Sequence, residues 1–276
     1  MSGIQKNIMS SVVISPSVET TDGTCRSMSV TAFGRLFTVN VDDTSLDHGL
    51  MLWDASVAFL RYLEANPREC ESLRNARILE VGAGTGLLGI ALAHCVGARV
   101  VMTDLTRVCG NLAANVTADP LKPGASGSLS VVPFDWCDAD GPRAVLAASD
   151  GGVFDAIIGT DVAYSEALNP TLLSATAACA RASEVRGTRC TVYFANELRC
   201  ELAQGVFDRV APTLFVCKRV PAKQMPQSLR DQNMILFKMR LLPSERRSSA
   251  SESTSSGSGS NMRISTTSSR EEDEAI

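Results

Sequence analysis

The chain is poor in aromatic residues and poorer still in histidine: Phe, Tyr and Trp make up 5% of 276 residues, with only two tryptophans and two histidines. His48 falls in a loop and His94 in an apolar helical run, which makes both poor candidates for a general base. Positive charge is not in surplus. Lys and Arg number 26 against 30 Asp and Glu, for a formal charge of −4, so no electrostatic footprint for nucleic acid is present. No apolar run approaches the ~20 residues of a membrane span, and no charged-then-apolar leader pattern opens the chain. Nine cysteines lie at 25, 70, 95, 109, 137, 179, 190, 200 and 217, without C-x-x-C or Cys/His metal spacing. An odd, unpatterned set, partly in apolar runs, points to a reduced, intracellular protein without a metal site.

What is present is enough apolar residue, 45%, for the core of one domain of about 200 residues. The chain is organised around residues 77–104. An apolar run at 78–81 ends at Gly82, Gly84 and Gly86. A Gly/Ala-spaced apolar segment follows, then Gly97, then a second apolar run at 100–102 closed by Asp104. That order predicts strand, tight turn, helix, strand, a βαβ unit. The glycines let the backbone turn sharply with no Cβ between it and a ligand. The helix after the turn aims its unpaired N–H groups at whatever sits above. Asp104, about 20 residues on, stands where an acid accepts hydrogen bonds from ribose hydroxyls.

A nucleoside ligand is expected here. Gly84-Thr-Gly86-Leu-Leu-Gly89 satisfies the literal pattern G-x-G-x-x-G, which taken alone suggests NAD. The register disagrees, because the turn begins at Gly82 and Glu80 occupies the strand end. An acid there suits a cationic ligand and sits badly beside a pyrophosphate. S-adenosylmethionine, with its sulfonium and amine, meets that requirement.

Residues 1–25, rich in Ser, Thr and Val, are expected to form a loose arm. Alternation over 27–41 around Phe33-Gly34-Arg35 predicts a β-hairpin. Residues 42–49 read as a loop and 50–63 as a helix, with Leu52, Ala55, Phe59 and Leu63 at helical steps. Beyond the central unit, helices are predicted over 108–117, 143–148, 168–182 and 197–210. Strands are predicted over 128–133, 154–159, 190–195, 213–220 and 233–240. Four or five βα repeats ending in two strands make a doubly wound α/β sheet with an antiparallel hairpin at one edge. From 244 to 276 the chain is Ser, Thr, Gly and charge, a tail expected to be disordered. The folded domain is expected over 26–243.

Ligands of such sheets bind off the carboxyl ends of the strands. The glycine turn, Asp104, Asp135-Trp136, Asp161 to Tyr164 and Asn196-Glu197 fall there, with Trp53 on the preceding helix. Leu52-Trp53-Asp54-Ala55, Glu80-Val-Gly-Ala-Gly-Thr-Gly86, Phe134-Asp135-Trp136 and Asp161-Val-Ala-Tyr164 occur in that order. Over roughly residues 25–240 the chain thereby resembles the small non-histone protein-lysine methyltransferases that carry an Asp-x-x-Tyr motif. The resemblance implies a seven-strand Rossmann-like sheet, mostly parallel with an antiparallel last strand, preceded by an N-terminal hairpin. It implies S-adenosylmethionine as cofactor and a protein lysine as acceptor; the protein is further expected to be a cytoplasmic monomer with no nucleic-acid or membrane partner. Cofactor contacts carry over to Trp53, to Gly82, Ala83 and Gly84, and to Asp104, Trp136 and Thr160, while Glu80 and Gly86 join the expected cofactor-binding set as members of the turn motif. The last position is often alanine in the family, so a backbone contact is the part that transfers.

Physical roles accompany these positions. Asp104 can take both ribose hydroxyls, and Trp136 offers a face to adenine. Asp135 either receives the exocyclic amine or caps a turn. Trp53 can close the methionine end, and core packing is the alternative for both tryptophans. Methyl transfer is an in-line displacement at a sulfonium methyl by a neutral amine, so most of the enzyme's contribution is positioning. Asp161 can hold and orient a lysine ammonium, with desolvation opposing the rise in amine pKa; alternatively it caps the next helix. Tyr164, one turn further if a helix begins there, can line the lysine channel. The Asn/Asp-Pro-Pro-Tyr/Phe signature of base-modifying enzymes is absent at 160–164. A small-molecule methyltransferase, a non-catalytic cofactor-binding module and a nicotinamide-dependent dehydrogenase are the competing readings.

Overall fold

A computed structural model describes residues 12–14, 26–42, 47–230 and 233–243. Val12–Ile14 (β1), Arg26–Ala32 (β2) and Arg35–Val41 (β3) form an antiparallel sheet in that order. The expected hairpin is therefore β2–β3, turning at Phe33 and Gly34, both with positive φ. β1 lies within the segment expected as a loose arm. The rest of that arm, and the tail from 244, lie outside the described residues.

Asp54–Ala65 (α1) and Pro67–Ser72 (α2) lead into the main repeat. It runs Arg77–Val81 (β4), Leu87–Val96 (α3), Arg99–Asp104 (β5), Thr106–Ala118 (α4), Ser128–Pro133 (β6) and Gly141–Ala147 (α5). Ala156–Thr160 (β7), Asn169–Val185 (α6), Thr191–Glu197 (β8), Glu201–Leu214 (α7), Phe215–Arg219 (β9), Gln227–Arg230 (α8) and Met234–Leu241 (β10) complete it. The seven strands β4 to β10 form one sheet ordered β6-β5-β4-β7-β8-β10-β9. β4 to β8 pair in parallel, and β10 slots antiparallel between β8 and β9. This is the doubly wound sheet with an antiparallel last strand that the sequence predicts.

Some boundaries differ. The helix predicted from 197 starts at Glu201, because Asn196 and Glu197 still pair with Ile235 and Met234 of β10. The helix predicted from 50 starts at Asp54, because His48–Leu50 forms a separate 3-10 turn.

Strand alternation divides the core. Ile78 of β4 packs on one face with α1, α3 and the small sheet, while Leu79 and Val81 pack on the other with α6 and α7. α3 is apolar all round, as a helix covered on two sides must be. The large sheet lies against one side, and α1 and β3 against the other. Phe37 and Val39 of β3 are about 1% exposed, each burial stabilising by roughly 1.5–3 kcal/mol. The N-terminal sheet is thus part of the core. Strand order reverses between β4 and β7, and the crevice of an open α/β sheet lies off the carboxyl ends at that point. Among the described residues, no helix is long and apolar enough to cross a membrane.

Candidate active site

A cavity of about 730 Å³ opens at this end of the sheet, within the range of small-molecule sites. β4 delivers Gly82 and Gly84 to it, with φ of 64° and 56°. A Cβ on Gly82 would lie 2.6 Å from Val162 Cγ1 and 3.3 Å from Trp136 Cζ2. Glycine there lets the loop after β7 and the Trp136 ring close over the turn.

β5 delivers Asp104. The Gly84 N–H donates to its Oδ2 and the Leu105 N–H to its Oδ1, both at 2.8 Å. Each carboxylate oxygen keeps a second acceptor site. Burial pushes the Asp104 carboxyl above the usual carboxylate range, and the two N–H groups oppose that rise.

β6 leads to Asp135 and Trp136. Asp135 Oδ1 accepts from the Cys137 N–H at 2.9 Å, so one of its oxygens caps a turn. β7 ends at Thr160, 9% exposed, followed by Asp161 with φ of 56°, uncommon for a residue with a Cβ. Asp161 Oδ1 accepts from the Glu197 N–H at 2.9 Å, and Oδ2 from Arg199 Nη2 at 3.1 Å. Its side chain is 4% exposed. Burial raises its pKa, and Arg199 is the main opposing influence.

Trp53, Gly82, Gly84, Asp104, Asp135, Trp136, Thr160, Asp161 and Tyr164 thus share one cavity wall. Two readings of the loop after β7 need correction. The next helix begins only at Asn169, so Asp161 is not its N-cap and Tyr164 does not lie one helical turn away. Tyr164 stands on a non-helical segment, 52% exposed. Burial raises its pKa, and the charges acting on its phenol are Asp104, Arg107 and Asp47.

Three other residues stand behind the wall. Strand alternation turns Glu80 toward α3, where it is 2% exposed and its Oε2 has no hydrogen-bond partner. A Cβ at Gly89 would collide with it. Burial pushes its pKa up to about 8. It therefore does not present a charge to the cavity, as its place at the strand end suggested. The Ala83 N–H is spent on the Thr103 carbonyl at 2.9 Å. Gly86 caps α3 with φ of 82°, where a Cβ would collide with Leu112.

The sequence reading missed Asp47 to Gly49, Arg107 and Arg199, all in the cavity wall. Trp53 Nε1 donates to the His48 carbonyl at 2.8 Å, which fixes the indole over the cavity. Asp47 accepts from the Gly49 N–H and pairs with Arg107 at 2.5 Å. Arg199 pairs with Glu197 at 2.5 Å, and its guanidinium carbon lies 4.6 Å from the Trp53 ring centroid. Its one sequence signal is its closeness to Asn196-Glu197. Among the described residues, no group of three or more His, Cys, Asp or Glu is placed to hold a metal ion.

Residues 37–210 match the profile of a family described as lysine methyltransferase. Similar curated proteins include the EEF1A lysine methyltransferase 3 of Mus musculus, 28% identical over 68% of this chain and 71% of that protein. The protein N-lysine methyltransferase METTL21A of Danio rerio is 33% identical over 45% of this chain and 51% of its own. The protein-lysine methyltransferase METTL21E of Bos taurus is 30% identical over 49% of this chain and 44% of its own. The match thus spans about half the length of the latter two relatives. Among solved structures, a T. thermophilus 16S rRNA N2 G1207 methyltransferase in complex with AdoMet and guanosine aligns with a TM-score of 0.52. Its identity is 17%, over 82% of this chain and 52% of that one, a likeness of fold.

Proposed function

This chain belongs to the lysine methyltransferase family, and from that premise we propose that it methylates a lysine side chain of a protein substrate, using S-adenosylmethionine. The observation that carries the reading is the buried Asp161 carboxylate in the same cavity wall as Asp104. The donor set fits the cofactor. Asp104, with one free acceptor site on each oxygen, would hold the ribose. Gly82 and Gly84 would lie under the amino-acid portion, Trp136 against adenine, and Trp53 at the far end. The printed names of the relatives support a protein lysine as acceptor. The AdoMet-bound structural neighbour is in keeping with this cofactor.

When bound, S-adenosylmethionine supplies a methyl group on a positively charged sulfur. Asp161 receives the lysine ammonium by a charge-assisted hydrogen bond and accepts one of its protons, which leaves a neutral amine nitrogen as the attacking group. Its own elevated pKa, set by burial, makes it a better proton acceptor than a surface aspartate. Trp53 and Trp136 exclude water from the two ends. Positioning of this kind supplies most of the barrier reduction in a displacement that needs no covalent intermediate. The cysteines at 70, 95, 109, 137, 179, 190, 200 and 217 are free, which suits a reducing compartment such as the cytoplasm.

The test is transfer of label from methyl-labelled S-adenosylmethionine into proteins of a cell extract, followed by hydrolysis to amino acids. The expected product is methyl-lysine. Label in a different amino acid overturns the lysine assignment, and label confined to small molecules overturns the protein substrate.

A further inference from the structure

At the Trp53 end of the cavity, three carboxylates act on one guanidinium. Asp161 and Glu197 pair with Arg199 directly, and Asp54 feels its charge. Arg199 Nη2 donates to Asp161 Oδ2 at 3.1 Å and to Glu197 Oε2 at 2.5 Å. Its guanidinium carbon lies over the Trp53 ring at 4.6 Å from the centroid, within cation–π range. The Arg199 side chain is 40% exposed, whereas the Asp161 side chain it pairs with is 4% exposed. Arg199 is therefore the more exposed member of this ion pair, in the cavity wall that the two residues share.

Paired carboxylate oxygens beside an indole face also suit an alkylammonium group. We infer that Arg199 is a place-holder: its guanidinium occupies the cation seat that a substrate lysine takes by displacing it. The inference rests on Asp161 as the anchor of the substrate ammonium, and adds that filling the seat is an exchange of one cation for another. Arg199 stays protonated at every accessible pH, so it holds the seat without serving as a methyl acceptor. Its second partner, Glu197, is 22% exposed at the side chain, so the guanidinium can remain paired there after leaving Asp161. An anionic ligand for Arg199 is disfavoured, because the group already faces more negative than positive charge.

The exchange can be read without knowing the protein substrate. The probe is n-butylammonium, the lysine side chain without its backbone. It is titrated into the full chain carrying Trp136→Phe, which leaves Trp53 as the sole fluorophore of the two tryptophans. The titration is repeated with Arg199→Met added, which keeps an unbranched apolar stem, and with Asp161→Asn added. The expected result is a saturable Trp53 response whose midpoint falls roughly threefold to fivefold with Arg199→Met, the scale of one partly exposed ion pair. The response is expected to vanish with Asp161→Asn and with n-butanol as probe. An unchanged or higher midpoint in Arg199→Met, no response in any of these proteins, or a response indifferent to Asp161→Asn overturns the inference.

Thermal melting establishes that each variant is folded. Should Arg199→Met not fold, Arg199→Lys replaces it, with a midpoint below that of Arg199 expected from its shorter reach; an unchanged midpoint there is equally adverse. A tenfold loss of S-adenosylmethionine affinity in Arg199→Met assigns the guanidinium to the cofactor and also overturns the place-holder. Methyl-lysine formation is scored separately. Labelled lysine with an unchanged midpoint sinks the place-holder alone, whereas no labelled lysine sinks the reading beneath it.

Discussion

The backbone N–H of Glu197 donates to Asp161 Oδ1 at 2.9 Å, so the last residue of β8 fixes the acid that follows β7. Asp161 also carries a φ of 56°, a conformation that Asn adopts with little strain and Ala does not. Asp161→Asn keeps the acceptor for Glu197 and the backbone preference. Asp161→Ala loses both. The alanine variant is expected to lose about 1–3 kcal/mol of stability and the asparagine variant clearly less, read by denaturant unfolding. Equal losses would show that neither the bond nor the φ matters.

Asp104 ties the glycine turn to β5 through the Gly84 and Leu105 N–H groups. Asp104→Ala removes that acceptor and the two sites proposed for ribose. Loss of two hydrogen bonds to a charged group corresponds to roughly a hundredfold or more in affinity. Calorimetric titration with S-adenosylmethionine checks it. Affinity within threefold of the parent contradicts the ribose assignment.

Gly82→Ala places a Cβ 2.6 Å from Val162 Cγ1 at a φ of 64°. Strain and overlap together are expected to cost about 2–4 kcal/mol and to abolish cofactor binding. Removing the obstructing methyl isolates the steric part. The double variant with Val162→Ala should cost less than the two single changes summed, and strict additivity would place the penalty elsewhere.

Burial holds the Glu80 carboxyl at about 8 against an ordinary 4.5. The folded state therefore binds this proton more tightly than the unfolded chain does. The associated stability is fully present below pH 4.5 and is lost as pH rises through about 8. Glu80→Gln, similar in shape and uncharged, lacks that slope. It is expected to melt above the parent on the alkaline side of the window and to converge with it on the acid side. The gap is on the order of a few kcal/mol at most. Parallel melting curves across the window would contradict a buried, proton-binding Glu80.

That the glycine turn, Asp104 and Asp161 would meet at one end of the sheet was legible because each depends on a local pattern, an apolar run and the residue that ends it. The succession of strands and helices along the chain followed from the same runs. The placement of Glu80 against α3 could have been read from Ile78, which shares its strand face and packs toward α3. For Tyr164 the cue was the helix predicted from 168, observed from Asn169 with Pro170 in its first turn, which leaves 161–164 outside any helix. Arg199 had no comparable cue. Its contact with Trp53 joins the segment after β8 to the start of α1, and only the pairing of β7 with β8 brings Asp161 beneath it. Long-range placement of that kind is not written in a local period.

The most direct measurement compares the parent and Asp161→Asn in the labelled-methyl assay at saturating cofactor, scored as methyl-lysine after hydrolysis. The account predicts at least about a hundredfold less methyl-lysine per unit time from Asp161→Asn, equivalent to roughly 2.7 kcal/mol of lost transition-state stabilisation, with cofactor affinity within about threefold of the parent. Methyl-lysine formed at the parental rate by Asp161→Asn would contradict it.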